Sequence, residues 1–467
     1  MSHSTDAALA DLREQVIAAH QRRRPLRLRG AGTKDFYGED SGKDQSNAEA
    51  AAGMPPAEIL DLRPYRGIVD YEPSELVITA RCGTPLSEIE SALAERGQFL
   101  AFEPPAFGAD PTIGGVIAAG LSGPRRMYAG AARDFVLGAT LLDARGELLR
   151  FGGQVMKNVA GFDVSRLLCG SLGILGAITE VSLKVLPQPR AQETLRFEMP
   201  AGTAIETFNR WSGQPLPLTA AAWYGGVAWV RMSGATAAVR AARERLGGER
   251  VDPAEATQWW NTLRHGTHPL LASARLWRLS VPDTTPPLDL PGEPLIDWGG
   301  AVRWYEDVAS ETTPSGANAD AGATDNVSTS GSARAGSIAS ASGNVSASGS
   351  ASTSGNASAS GNVSASGSAS TSGNASASGN VSTGGNVSAG GSASAGGTLS
   401  ASRNGANSNI RAAATAAGGT ALCWRGPAPP DGRFHPLQPT VAALHRRLKD
   451  RFDPHGIFNP GRMIAGL

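Results

Sequence analysis

The sequence predicts an α+β fold in two parts, interrupted by one long low-complexity insertion. Three observations carry this. Through the first 187 residues, β-branched runs alternate with amphipathic helical stretches. Residues 188–308 change character: tryptophan-bearing strand patterns such as AAWYGGVAWVRMSG, ARLWRLSVP and LIDWGGAVRWYED alternate with the helical patterns AGTAIETFNRWSG and AATAAVRAARERLGG. That pattern suits a small α+β cap domain on an antiparallel sheet. Residues 309–412 repeat a Ser/Ala/Gly/Asn unit almost without charges or large apolar side chains. Such a segment buries too little apolar surface to offset its ordering entropy, so disorder is expected, with a repeat solenoid as the alternative. The expected organisation is 1–187, 188–308, the insertion at 309–412, and 413–467 completing the cap sheet and closing the chain.

Composition narrows the function. Lys+Arg and Asp+Glu both number 42, which disfavours a general nucleic-acid or anionic-membrane binder. Three scattered cysteines, Cys82, Cys169 and Cys423, form no CxxC pair, so no disulfide framework, cysteine zinc site or iron–sulfur cluster is expected. No apolar run reaches the roughly 18 residues that a spanning helix needs. The polar N-terminus lacks the apolar core of a signal peptide. A soluble protein of a reducing compartment, the cytoplasm, is expected.

Residues 5–23 place Leu9, Leu12, Val16, Ile17 and Ala19 at helical spacing. RRRPLRLRGAGTK then reads as a short strand running into a Gly-rich loop, with Thr33 and Lys34 as side-chain donors; a phosphate cradle and a plain turn both fit. It is not a Rossmann fingerprint, because the third glycine is missing. ILDLRPYRGIVDYEPSELVITARCGT reads as strands. TPLSEIESALAERG reads as a helix with Thr84 as N-cap, Pro85 at its first position and Gly97 at its end.

The chain is organised around PPAFGADPTIGGVIAAGLSG, residues 104–123. Asp110-Pro111-Thr112 reads as a turn entering a short helix, and Gly114-Gly115 lets the backbone approach a neighbour closely. Unpaired N–H groups at such a start suit an anion, which suggests a pyrophosphate cradle; a tightly packed Gly/Ala helix is the alternative. DFVLGATLLDARGELLRFG follows as a hairpin turning at Asp143-Ala144-Arg145-Gly146. Then Gly161, Gly170, Gly173 and Gly176 punctuate the chain so densely that backbone must lie close to a ligand or another strand. After the insertion, GGTALCWRG is expected to pair with LIDWGGAVRWY. The helix TVAALHRRLKDRFDP brings Val441, Leu444, Leu448 and Phe452 to one face.

Taken in order, RGAGT (29–33), DPTIGGVIAAGLSG (110–123), ARDFVLGATLLDARGE (132–147), KNVAGFDVSRLLCGSLGILGAITEVSLKV (157–185) and HRRLKDRFDPHGIFNPGRM (445–463) resemble the PCMH-type, or vanillyl-alcohol-oxidase-type, FAD-binding family. Within it they are most similar to the FAD-binding subunits of bacterial three-subunit glycolate oxidases. The resemblance implies a PCMH-type domain of two α/β subdomains with FAD as cofactor. Gly30, Ala31, Gly32 and Thr33 would meet the pyrophosphate, with Asp110, Pro111, Thr112, Ile113, Gly114 and Gly115 as the second loop. Gly120 and Ser122 would line the channel toward the flavin. Asp134 and Val136 would stand beside the ribityl chain, Gly161 and Asp163 near the flavin, Ile178 on the adenine side and Asn459 near the isoalloxazine. Covalently flavinylated relatives carry a histidine in the first loop; RGAGT has none, so non-covalent FAD is expected.

Three activities follow. The chain is an FAD subunit of a complex oxidising glycolate or another small 2-hydroxy acid, or a self-sufficient FAD oxidoreductase, or an assembly subunit with a degenerate flavin site. The resemblance implies a larger FAD-binding sister subunit, an iron–sulfur subunit, and association with the inner face of the membrane through that complex. Arg278 and Arg303 are candidates for holding a substrate carboxylate, surface-strand arginines being the alternative. His265 and His268 lack a third ligand, so no metal is expected. No general base stands out; His435 and His455 are the candidates.

Overall fold

The computed structural model describes residues 2–39, 56–153, 163–307 and 404–464, and short strands between 327 and 401. Met1–Leu288, Gly292–Glu306 and Ala417–Leu467 form one compact unit, and Asp289–Pro291 with Asp307–Ala416 a second.

The first half of the larger unit begins with helix α1 (Ser2–Arg22). Its Leu12, Val16 and Ala19 pack on a two-stranded parallel sheet, β1 (Leu26–Arg29) beside β2 (Glu58–Asp61). Five antiparallel strands follow: β3 (Ile68–Glu72), β4 (Val77–Arg81), β5 (Val136–Leu142), β6 (Leu148–Gly152) and β7 (Ala177–Lys184). Their order is β3-β4-β7-β5-β6. Helices α2 (Leu86–Ala94) and α3 (Ile113–Ala119) bury Ile89, Leu93, Val116 and Ile117 against this sheet. The β5–β6 hairpin turns where the sequence places it: Gly146 donates its N–H to Asp143 O, and the Asp143 carboxylate accepts from the amides of Arg145 and Glu147. The cap of α2 differs from expectation. Pro85 takes the N-cap position, and the Thr84 hydroxyl instead donates to Arg81 O and accepts from Gly67 N–H, closing the end of β4.

The cap half is an eight-stranded antiparallel sheet. Its labelled strands are β8 (Ala191–Glu198), β9 (Leu218–Tyr224), β10 (Val227–Gly234), β11 (Leu276–Ser280), β12 (Leu295–Asp297), β13 (Val302–Glu306) and β14 (Thr420–Arg425). Starting from the two-residue strand Glu249–Arg250, the order is β8-β10-β9-β12-β13-β11-β14. Helices α4 (Ala201–Ser212) and α5 (Thr236–Leu246) pack against Ala221, Trp223, Val230 and Met232, while α6 (Pro253–His265) meets Ala220 and Ala222 on the other face. This is the alternation that a sheet covered on both sides requires. One pairing corrects the sequence reading. β14 pairs with β11, not with the LIDWGGAVRWY segment, because β12 and β13 already pair with each other and β11 takes the outer edge of β13.

The disorder expected for 309–412 falls largely outside the described residues. The described segments between 327 and 401 are three- or four-residue strands in three parallel ladders, each residue opposite one 18 positions later. Val327, Val345, Val363, Val381 and Leu399 share one register position, a period that the composition alone does not reveal. A helix, Asn404–Ala416, follows.

Two buried ionic groups tie the larger unit together. Glu103 sits between Arg125 and Arg231, the latter 2.8 Å away on β10; burial acts upward on its carboxyl, but the two guanidiniums hold it below the usual carboxylate range. Near the C-terminus, helix α7 (Pro439–Phe452) buries Lys449, whose Nζ lies 2.7 Å from Asp453 and donates to Ile174 O and Phe458 O. The Asp453 carboxylate also accepts the N–H groups of Ile457 and Phe458. Lys449→Met leaves this carboxylate uncompensated. We expect a loss of about 3 kcal/mol of stability, measured by urea denaturation, as for other broken buried pairs.

Candidate functional site

β1 delivers the chain into the RGAGTK loop. Gly32 adopts φ +75°, Asp35 N–H closes back on Gly32 O at 3.1 Å, and Arg29 pairs with Asp35 at 3.1 Å. This loop abuts the one before α3. A Cβ built on Gly30 would lie 2.2 Å from Thr112 Oγ1, and one on Gly108 3.2 Å from Thr33 Cγ2. The two small-residue loops therefore meet in space. Thr112 caps α3 by accepting Gly115 N–H at 3.3 Å. Gly114 serves packing: its N–H donates to Cys82 O, and a Cβ there would stand 2.6 Å from Cys82 Cβ.

Together the loops form two walls of a cleft that opens to solvent. Gly30, Ala31, Gly32, Thr33, Pro111 and Thr112 line it, as do Gly114 and Gly115. A third wall comes from Leu172, Gly173, Gly176 and Ile178, and a fourth from Asn459 and Arg462. Asn459 fixes the walls to one another. Its Oδ1 accepts Leu28 N–H at 2.9 Å, its Nδ2 donates to Leu172 O at 2.7 Å, and its own N–H donates to Leu26 O. Gly173 is required here, since a Cβ would meet Asn459 Nδ2 at 2.8 Å. Arg462 donates to the carbonyls of Lys34 and Tyr37, holding the first loop from behind.

The cleft is chemically suited to an anion. Among the described residues, Gly30, Ala31, Gly32 and Thr33 donate their main-chain N–H groups to no other group. Lys34 is 8% exposed and lines the same cleft. Its Nζ contacts Thr33 Oγ1 at 3.4 Å and has no carboxylate partner among the described residues. Burial lowers its pKa to about 8. A buried ammonium without a counter-charge is costly, and the unpaired amides of residues 30–33 line the same cleft, so an anion there would offset both.

Other candidates frame the cleft without lining it. Asp110, at φ +45°, accepts Ser87 N–H; Ile113 is fully buried; Gly120 ends α3 in a left-handed turn pressed against Gly170. Ser122 Oγ accepts Ala132 N–H, Asp134 accepts Ala131 N–H, and Val136 is a buried strand residue opposite Leu183. Asp163 caps the helix Val164–Leu168 and pairs with Arg166 at 3.0 Å. Gly161 lies outside the described residues.

On the cap side the two candidate arginines part. Arg303 is fully buried and donates to Gly300 O and Thr285 O, so its guanidinium is committed to the main chain. Arg278 lies 4.8 Å from the Trp298 ring centroid and 5.6 Å from that of Trp304, and donates to Ser280 Oγ. It has no carboxylate partner among the described residues. Tyr37, which lines the cleft, faces it; burial raises the Tyr37 phenol and Arg278 acts against that rise. His265 and His268 do not converge on a metal: each accepts a different amide, from Ala106 and Leu270. His435 likewise accepts Ala421 N–H, and His455 lies against His20, the ring centroids 4.4 Å apart and the planes tilted by 46°. The sequence reading passes over Asp297, whose carboxyl burial pushes up to about 7 near Arg278; a lone aspartate in a strand gives no signal for this.

The family described as "FAD binding domain" matches residues 7–152. The chain is 46% identical over 301 residues to glycolate oxidase subunit GlcE of Escherichia coli (strain K12), a match covering 64% of this chain and 81% of that protein. It is 32% identical over 153 residues to glycolate oxidase subunit GlcD of Bacillus subtilis (strain 168), covering 32% of each. It is 30% identical over 133 residues to a D-lactate dehydrogenase of Anaerostipes hadrus, covering 28% of each. A solved alkyldihydroxyacetonephosphate synthase aligns with TM-score 0.43 and 17% identity, over 58% of this chain and 56% of that one.

Two outcomes test the cleft. Gly30→Ala forces apart the loops that Thr112 closes, and we expect flavin absorbance of the purified protein to fall at least tenfold. A bound diphosphate favours the charged form of Lys34, so its pKa is higher in the complex than the value of about 8 without ligand. Affinity of the apoprotein for FAD is then level below about pH 8 and falls above it by up to tenfold per pH unit. In Lys34→Met, titration by flavin fluorescence should show weaker binding without that fall.

Proposed function

Because the chain belongs to the family of glycolate oxidase subunit GlcE, we propose that it is the FAD-binding subunit of a complex that oxidises glycolate or a close 2-hydroxy acid. In this reading electrons arrive from the substrate or from a larger sister flavin subunit and leave toward an iron–sulfur subunit. The observation that carries the reading is the contact of Gly30 with Thr112, which brings free main-chain amides and the Lys34 ammonium to one cleft.

The cofactor is FAD. The residues present fit it. The amides of residues 30–33 and the Lys34 ammonium would hold the diphosphate, with Thr112 and Gly115 facing them. Leu28, Leu172 and Ile178 offer apolar walls for the ring systems. Bound there, FAD supplies a two-electron acceptor that passes electrons on one at a time. No histidine or cysteine stands in the 29–37 loop, so the binding is non-covalent. On the cap side, Arg278 has the charge and the free valence to orient a carboxylate, a role that Arg303 cannot share. Asp297, with its carboxyl near 7, is the group there able to hold or release a proton near neutrality. Among the described residues no helix is long and apolar enough to cross a membrane.

The chain purified alone should show flavin absorbance, with FAD released into the supernatant on acid precipitation. A colourless protein would overturn the flavoprotein reading in favour of an assembly role. With an artificial acceptor, the isolated chain should turn over neither glycolate nor D-lactate, whereas the full complex should. Turnover by the chain alone would replace the subunit reading with that of a self-sufficient oxidoreductase.

A further inference from the structure

Arg126 and Arg278 come from different parts of the larger unit and meet at one side chain. Arg126 opens the helical turn Arg126–Ala129, a short loop after α3. Arg278 stands on β11 of the cap sheet, opposite Trp304 on β13. The guanidinium carbon of Arg126 lies 4.3 Å from the Trp298 ring centroid, and that of Arg278 lies 4.8 Å from the same centroid. Trp298 is fixed at both ends. Its Nε1–H donates to Gly123 O at 3.1 Å, the carbonyl that also accepts the Arg126 N–H. Its main-chain N–H donates to the Asp297 carboxylate at 2.7 Å. Trp298 has φ +51°, which is unfavourable for a bulky side chain and persists only where the surroundings impose it. A Cβ on the next residue, Gly299, would collide with Met127 Sδ, so this turn presses directly on the one that carries Arg126.

Both guanidiniums lack an anion. Among the described residues Arg126 makes no side-chain hydrogen bond or ion pair, and Arg278 only its bond to Ser280 Oγ. No nitrogen of either is at once unpaired and sealed from solvent, so a small solute reaches them. Burial lowers the pKa of each, and Arg126 lowers that of Arg278 further. Arg133 and Asp134 act on Arg126 in opposite directions without pairing with it. Asp297 does not supply the missing charge in full: burial pushes its carboxyl up to about 7, and one of its oxygens is taken by Trp298. Two half-buried cations side by side are unfavourable, and an anion between them removes the repulsion. Guanidinium forks match the planar oxygens of a carboxylate, and two that share one ring lie within the span that a single carboxylate bridges.

We propose that Arg126 and Arg278 together clamp the carboxylate of a small 2-hydroxy or 2-oxo acid beside the Trp298 ring. This rests on the hydroxy-acid reading above and adds Arg126 to it. One arginine comes from the turn after α3 and the other from the cap sheet, so the acid is held where the two meet. Trp298 is the positioning residue that spaces the guanidiniums.

The test titrates glycolate into the purified full-length chain by calorimetry, with glycolamide, which lacks the carboxylate, as the comparison. Glycolate should bind, and glycolamide at least tenfold more weakly. Arg126→Leu and Arg278→Leu should each weaken glycolate binding at least tenfold, with FAD content and melting temperature unchanged. Arg126→Lys, which keeps the charge, should recover part of the loss. In the double leucine variant the loss should be smaller than the product of the two single losses, because both arginines hold one group. If Arg126→Leu lowers the melting temperature, Arg126→Gln carries the same expectation. Undiminished glycolate affinity without the Arg126 guanidinium overturns the proposal, as does equal affinity for glycolamide. A chain that carries FAD and binds no glycolate overturns the clamp while the flavoprotein reading stands. A colourless chain that binds glycolate, and loses it in Arg126→Leu, keeps the clamp and overturns the flavoprotein reading instead.

Discussion

The contact on which the rest depends is that of Gly30 with Thr112. Nothing larger than hydrogen fits between the first loop and the Thr112 side chain. This constraint propagates in both directions. β1 must end where the start of α3 begins, so the parallel pair β1–β2 and the five-stranded sheet carrying α3 are held in one arrangement. Thr112 is fixed in turn, because its hydroxyl caps α3 and the neighbouring amides of Ile113 and Gly114 bond to Thr84 O and Cys82 O at the end of β4. The loop approach is thereby built on sheet ends rather than on free loops, the arrangement that positions a site most narrowly.

A second constraint closes the cleft from the far end of the chain. Lys449 and Asp453 are both buried, and between them they satisfy two carbonyls and two amides around the final turn. Their net worth as an ion pair is small after desolvation, but their hydrogen bonds admit only one path for residues 453–459. That path brings Asn459, at φ +40°, against Leu28 and Leu172. The chain's last helix thus decides how its first strand and the 172–176 loop are spaced. The exposure of Val441 and Leu444 follows from the same geometry: the helix is anchored at its C-terminal end and outruns the core at the other.

The sequence made legible what depends on local pattern. The two glycine loops, the β5–β6 hairpin, the dense glycines at 173 and 176 and the Asn-Pro-Gly turn all carry their backbone requirements in their residue types. What it left hidden depends on long-range partners. LWRLS and VRWY both present an arginine on a half-apolar strand, yet the turn at Gly300 captures Arg303 while Arg278 rests on two indoles. Pairing order is hidden for the same reason: β14 could add to any antiparallel edge, and only the closed β12–β13 hairpin leaves β11 as its neighbour. Thr84 carries the side chain of an N-cap, but the nearby Arg81 carbonyl and Gly67 amide claim it.

Lys34 shows how fold and function meet at one residue. Read as sequence it is a candidate side-chain donor beside Thr33, in a loop that a phosphate cradle and a plain turn both fit. The structure encloses it between Thr33, Phe107 and the cleft, with no carboxylate among the described residues to offset its charge. Left alone, such a group weakens the fold or sheds its proton. An anion bound to the adjacent amides removes that penalty, so the same contacts that fix the diphosphate also stabilise the loop that holds it. Binding to the folded state alone adds stability in proportion to the logarithm of ligand concentration over its dissociation constant. The cleft is therefore a place where the polypeptide is locally unfavourable by itself and becomes favourable with a dinucleotide in it, which is the physical sense in which this domain is built around its cofactor.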